Sequence, residues 1–178
     1  MAKRNKAEGE EQTNGIVKPL AAEGYAPAGA GDNAAWTQMT EGAVWAGELM
    51  GCFQMSKPDK SGKRRSYYQL RIGESPFIDS EKREYVPMGI VRDPETEEFG
   101  EEPVPLMVGD LVNIDCRYAL DQSLQPLCKS MTTQGLRFNV IIQALNKKSI
   151  GGGQTLWRFN VLKAPIGDDK HAGDKLPF

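Results

Sequence analysis

KPDKSGKRRSYYQLR, residues 57–71, runs from a turn into a strand. Its first nine positions hold five basic residues, Lys57, Lys60, Lys63, Arg64 and Arg65, and one acid, Asp59. Pro58, Asp59, Ser61 and Gly62 are turn formers. From Arg65 onward the chain alternates with period two. Tyr68, Leu70 and Ile72 share one face, and Arg65, Tyr67, Gln69 and Arg71 share the other. Upstream, AVWAGELMGCFQM (residues 43–55) places Trp45, Leu49, Phe53 and Met55 on one parity, with Gly47 and Gly51 between them. Glycines inside such a run signal bends or a bulge. Strand, turn and strand make a long hairpin, and that hairpin sets the fold class as all-β.

The rest of the chain extends the same pattern. EYVPMGIV (84–91) reads as a weaker strand that Pro87 pushes to an edge. In LMVGDLVNIDCRYAL (106–120), Val112, Ile114, Cys116 and Tyr118 face one way, and Leu111, Asn113, Asp115 and Arg117 the other. Residues 121–134 read as a polar connection with at most one helical turn. In GLRFNVIIQALNKK (135–148), Leu136, Phe138, Val140 and Ile142 oppose Arg137, Asn139, Ile141 and Gln143. SIGGGQ is a hairpin turn. TLWRFNVLKAP (155–165) puts Trp157, Phe159 and Val161 on one face. Five or six strands and no long amphipathic helix predict a small antiparallel barrel, partly open and of the OB type, with a two-sheet sandwich as the second choice. The barrel occupies residues 41–164. Residues 1–40, dominated by Gly, Ala, Glu and Asn, bury too little to fold and are expected to be flexible, as is the polar tail 165–178.

Composition narrows the function. The 178 residues suit one domain, and a net charge of −2 supplies no global basic field, so any nucleic-acid site is a local patch. Three cysteines without a C-x-x-C pair indicate neither a zinc site nor a disulfide framework; Cys52 and Cys116 read as small core residues. The single histidine, His171, lies in the polar tail, which removes the main ingredient of histidine-based catalysis. The acidic run 93–103, with Asp93, Glu95, Glu97, Glu98, Glu101 and Glu102, lacks calcium-loop spacing and reads as a solvated loop. Gly151-Gly152-Gly153 lacks the Lys-Ser/Thr of a P-loop. No enzyme, cofactor or metal is indicated. No apolar run reaches bilayer length and the N-terminus has no signal-like apolar region, so the expectation is a soluble, intracellular protein without a membrane partner.

One patch stands out against this background. Lys57, Lys60, Lys63, Arg64 and Arg65 reach out from the hairpin tip, and Tyr67, Gln69 and Arg71 continue the same face. Cations track a phosphate backbone while rings stack on bases of any identity, which together suit an unpaired polynucleotide. Arg117, Arg137 and Trp157 extend the candidate surface from other strands. The plain alternative is a hairpin kept soluble by its lysines. At the C-terminus, Leu176, Pro177 and Phe178 follow Asp168, Asp169 and Asp174, an arrangement that fits a basic-rimmed pocket on a partner protein.

The strands within 43–164, the KRRSYYQLR face and the terminal Pro177-Phe178 resemble the single-stranded-DNA-binding proteins of bacteria and their phages. That resemblance implies an OB-type barrel that coats single-stranded DNA with little sequence preference during replication or recombination. It also implies DNA contacts at Tyr67 and its cations, and recruitment of replication or recombination proteins through Pro177 and Phe178. Homo-oligomerisation is compatible with it. Lysines among the tail acids, an N-terminal flexible segment and the acidic insertion depart from the cellular type and point to a phage or mobile-element version acting in the cytoplasm of a bacterial host. A β-barrel assembly protein of a virion and a magnesium-dependent nuclease are the alternatives, and RNA is not separated from DNA.

Overall fold

The computed structural model describes residues 34–167, apart from 94 and 97. Its strands are β1 (Ala35–Trp36), β2 (Val44–Gln54), β3 (Ser66–Ile72), β4 (Phe77–Ile78), β5 (Glu84–Tyr85), β6 (Met88–Gly89), β7 (Val104–Pro105), β8 (Leu111–Asp115), β9 (Phe138–Gly151) and β10 (Gln154–Pro165). One helix, α1 (Tyr118–Gln134), connects β8 to β9. Six strands form a single sheet in the order β1-β8-β3-β2-β9-β10, antiparallel except where β1 joins β8. The sheet does not close into a barrel. β4 with β5, and β6 with β7, form two small sheets.

The β2–β3 hairpin predicted from residues 43–73 is the centre of this sheet. Trp45, Leu49, Tyr68, Leu70 and Ile72 are buried on one side of it, together with Val112 and Ile114 of β8 and Val140 and Ile142 of β9. At Gly47 the strands approach so closely that a Cβ would sit 1.9 Å from the Arg71 carbonyl oxygen. The register then shifts between Leu49 and Gly51, with Gly51 at φ +143°. This bulge inserts one residue and inverts the parity of everything beyond it. Phe53, which strict alternation groups with Trp45 and Leu49, instead lies opposite Tyr67 on the other face. The same shift puts Cys52 opposite Tyr68 on the core side of the hairpin. It is exposed there, not the small core residue expected, with its Sγ 3.7 Å from that of Cys116, which is half-buried and packs against the core.

The helix is the main departure from the sequence expectation. β8 ends at Asp115, and residues 118–134, read there as strand and polar connection, form a helix of 17 residues. Leu120, Leu124 and Leu127 follow an i, i+4, i+7 spacing and are buried against the sheet. Pro126 lies on the exposed side and leaves the leucine stripe intact. Tyr68 Oη, from the middle of the sheet, donates to Asp121 Oδ1 at 2.6 Å, and Asp121 lies in the first helical turn, where a carboxylate complements the helix dipole. Gly135, at φ 67°, ends the helix by donating its N–H to the Met131 carbonyl. Tyr118, predicted to be a strand residue on the apolar face, is 68% exposed on α1.

Two boundaries shift as well. Ala34 and Ala35 are each only 2% exposed, so the folded region starts before residue 41. The strand expected over 84–91 is divided at Pro87 into β5 and β6. At the far end of the β9–β10 hairpin, Gly151, Gly152 and Gly153 all take positive φ, which makes the glycine run a tight turn.

Candidate functional site

One face of the sheet packs on α1. The opposite, outer face carries the sequence candidates, and cross-strand partners define its membership. Phe53 lies opposite Tyr67, Tyr67 opposite Asp115, and Gln69 opposite Asn113. Glu48 lies opposite both Arg71 and Asn139. Trp36 of β1 lies beside Asn113.

Three rings form a row at one end of this face. The Tyr67 ring lies between Trp36, edge-on at 5.3 Å between centroids, and Phe53, tilted by 30° at 5.8 Å. Phe53 is 40% exposed, and Tyr67 and Trp36 are half-buried. Sequence reasoning identified Tyr67 but missed both neighbours. Phe53 was hidden by the bulge, for which Gly51 was the available signal. Trp36 lies in a stretch whose Ala/Gly composition suggests no strand at all.

The cationic tip rises directly from the strands that carry Phe53 and Tyr67. Lys57, Lys60, Lys63, Arg64 and Arg65 are all exposed. Asp59, the only acid among them, organises the turn. Its Oδ1 accepts from the Ser61 Oγ at 2.5 Å, the Ser61 N–H at 2.8 Å and the Lys63 N–H at 3.1 Å, and its Oδ2 accepts from Arg65 Nε at 3.3 Å. These bonds, that from the Ser61 hydroxyl foremost, hold the Asp59 carboxyl down at about 2. The aspartate therefore stays charged at neutral pH and offsets Arg65, leaving the lysines and Arg64 to meet solvent.

The remaining candidates divide. Arg71 and Arg137 converge on the outer face through one carboxylate: Arg137 Nε lies 2.7 Å from Glu48 Oε1, and Arg71 Nη1 lies 4.0 Å from Glu48 Oε2. Arg117 is the N-cap residue of α1 rather than a strand residue. It pairs with Asp115 at 3.6 Å and so borders Tyr67. Gln69 is on the expected face but only 8% exposed, and its Nε2 donates to the Asn113 Oδ1 at 3.0 Å. A buried amide bound in this way supports the sheet. Trp157 is on the core side with Phe159 and Val161, and the Lys147 ammonium sits 5.1 Å from its ring centroid, so it is not part of this face. Leu176, Pro177, Phe178 and His171 lie outside the described residues.

Among the described residues no group of three or more His, Cys, Asp or Glu side chains is placed to hold a metal ion, and no helix is long and apolar enough to cross a membrane. Compared with protein-family models, with curated proteins and with solved structures, the chain matches none.

Proposed function

We propose that the protein is a non-enzymatic binder of single-stranded DNA, and that the strand crosses the outer face of the sheet from the cationic tip over the ring row. The observation that carries this reading is the Trp36–Tyr67–Phe53 row at the root of the Lys57–Arg65 tip. Rings give sequence-tolerant stacking and the tip gives phosphate neutralisation, the two components that unpaired polynucleotides require. Asp59 shapes the tip, and Glu48 holds Arg71 and Arg137 on the same face.

The strand order supports an OB-type interpretation. The five longer strands run β8-β3-β2-β9-β10, with the helix inserted between β8 and β9. We read this order as a partly open Greek-key arrangement of the OB type, a fold whose central strands and two flanking hairpin loops make the binding surface. On that reading the tip at residues 57–65 and the glycine turn at 151–153 correspond to those two loops. The resemblance to phage and bacterial single-stranded-DNA-binding proteins extends the proposal to DNA replication or recombination in a bacterial host, with the terminal Pro177-Phe178 as the contact for partner proteins.

The test is a fluorescence titration with single- and double-stranded oligonucleotides at several salt concentrations. If four cations at the tip contact phosphates, log K against log salt falls with a slope of about −3 for a single strand. Absence of binding to single strands in dilute buffer, or tighter binding to duplex, overturns the proposal.

A further inference from the structure

The outer face continues past Glu48 along β2 to Val44, where a second feature covers it. The β4–β5 hairpin folds back over β2, β9 and β10 and encloses a cleft of about 280 Å³. Phe77 and Tyr85 form one wall, with ring centroids 6.2 Å apart. Ile141 and Leu162 contribute an apolar floor, and Leu162 is 44% exposed. Gln143 and Asn160, direct cross-strand partners on β9 and β10, place two amides beside each other in the cleft. No side-chain hydrogen bond to another described residue occupies either amide.

We infer that this cleft is a subsite for one unpaired nucleobase of a strand lying on the outer face, with Gln143 and Asn160 reading the base edge. The inference rests on the single-strand reading above and assigns residues that the sequence did not single out for binding. Three observations select a base over other ligands. The volume lies at the small end of ligand pockets and suits a single ring system rather than a chain. The rim disfavours phosphate. The hairpin carries Asp79, Glu81 and Glu84 against Lys82 and Arg83, and the Arg83 guanidinium is already engaged, with Nε 2.7 Å from Asp79 and Nη2 3.2 Å from Glu81. A neutral planar group is therefore admitted where an anion is repelled. Aromatic walls with adjacent amides are also the combination by which splayed-out bases are held, the ring by stacking and its edge by paired donors and acceptors.

The hairpin is built to keep its shape. Asp79 Oδ1 accepts from the Glu81 and Arg83 N–H groups, each at 2.9 Å. This is the same turn that Asp59 organises at the cationic tip, with Lys82 at φ 65° where Gly62 stands at φ 78°. Val44 and Phe53 are nine residues apart on β2, a span of roughly 30 Å at the strand rise. The cleft and the ring row are thus separate contact points for one strand and can be perturbed independently.

The experiment measures binding of labelled dT12, dA12 and dC12 to the full chain, to Phe53→Ala, to the double variant Gln143→Leu/Asn160→Leu, and to Tyr85→Leu. The expected result is base discrimination of about fivefold or more by the unmodified protein, since a well-placed amide pair distinguishes bases at that level. The amide double variant compresses it to less than twofold, Tyr85→Leu weakens all three oligomers, and Phe53→Ala weakens all three while leaving their ratios intact. Circular dichroism establishes that each variant is folded, and Tyr85→Leu tests the opposite wall should the double variant unfold. Unchanged ratios in the amide variant, or no discrimination by the unmodified protein, overturn the subsite. If Phe53→Ala still weakens binding in that case, the cleft alone is refuted and the single-strand reading survives. If no oligomer binds any form, the single-strand reading itself is refuted.

Discussion

Phe53→Ala separates stacking from folding more cleanly than any other substitution in the ring row. The side chain is 40% exposed and makes its ring contact with Tyr67 across the hairpin. Loss of that contact costs the fold about 0.5–1.5 kcal/mol, well below the stability of a domain this size. Loss of a stacking surface for one base costs binding about 1–3 kcal/mol, or about 5–150-fold in Kd. The assay is fluorescence anisotropy of a labelled dT oligomer at fixed salt, repeated over a salt series. Because Phe53 is neutral, the slope of log K against log salt is expected to stay unchanged while the intercept drops. Arg64→Ala is the complement, lowering the slope magnitude by about 0.7. A Kd for Phe53→Ala within twofold of the unmodified protein, with the variant folded, refutes the reasoning that the bulge delivers Phe53 to the binding face.

Three further outcomes are expected. Glu48→Gln removes the carboxylate charge that offsets Arg71 and Arg137, so single-strand affinity rises and the salt slope steepens by about 0.7; weaker binding contradicts this. Tyr68→Phe deletes the hydrogen bond to Asp121 and lowers stability by about 1.5–3 kcal/mol in urea unfolding at neutral pH. Burial, followed by that bond, raises the Tyr68 phenol above its ordinary value of 10.0, so its contribution is complete below pH 10 and is lost at higher pH as the unfolded tyrosine ionises; the Phe variant lacks this part of the alkaline decline. Lys82→Gly relieves a left-handed residue in the hairpin turn and raises stability by about 0.5–1 kcal/mol, read as a higher Tm; a lower Tm contradicts the turn assignment.

The hairpin over 43–73, its buried Tyr68–Leu70–Ile72 face, its cationic tip and the β9–β10 pair were legible because period-two alternation and turn residues are local properties of the chain. Helix α1 was partly legible: the 120/124/127 leucine spacing was present, but Pro126 and the hydroxyl-rich SMTT run lower helix propensity, and packing on the sheet overrides it. The site was legible where a residue's face follows from simple parity, as for Tyr67, and illegible where an inserted residue resets that parity, as for Phe53. Gln69 shows the limit from the other side, since correct facing did not reveal that Asn113 would hold it below the surface.

By itself, then, the amino-acid order determined the β2–β3 and β9–β10 hairpins, the apolar face of β3, and where charge accumulates, because these depend on neighbours one to four residues apart. Only the tertiary structure decided that Trp36 and Phe53 flank Tyr67, that one glutamate gathers Arg71 and Arg137, and that the β4–β5 hairpin roofs a cleft on β9 and β10. Those contacts join residues far apart in the chain, and a single bulge or a two-residue edge strand, invisible to periodicity, sets their geometry.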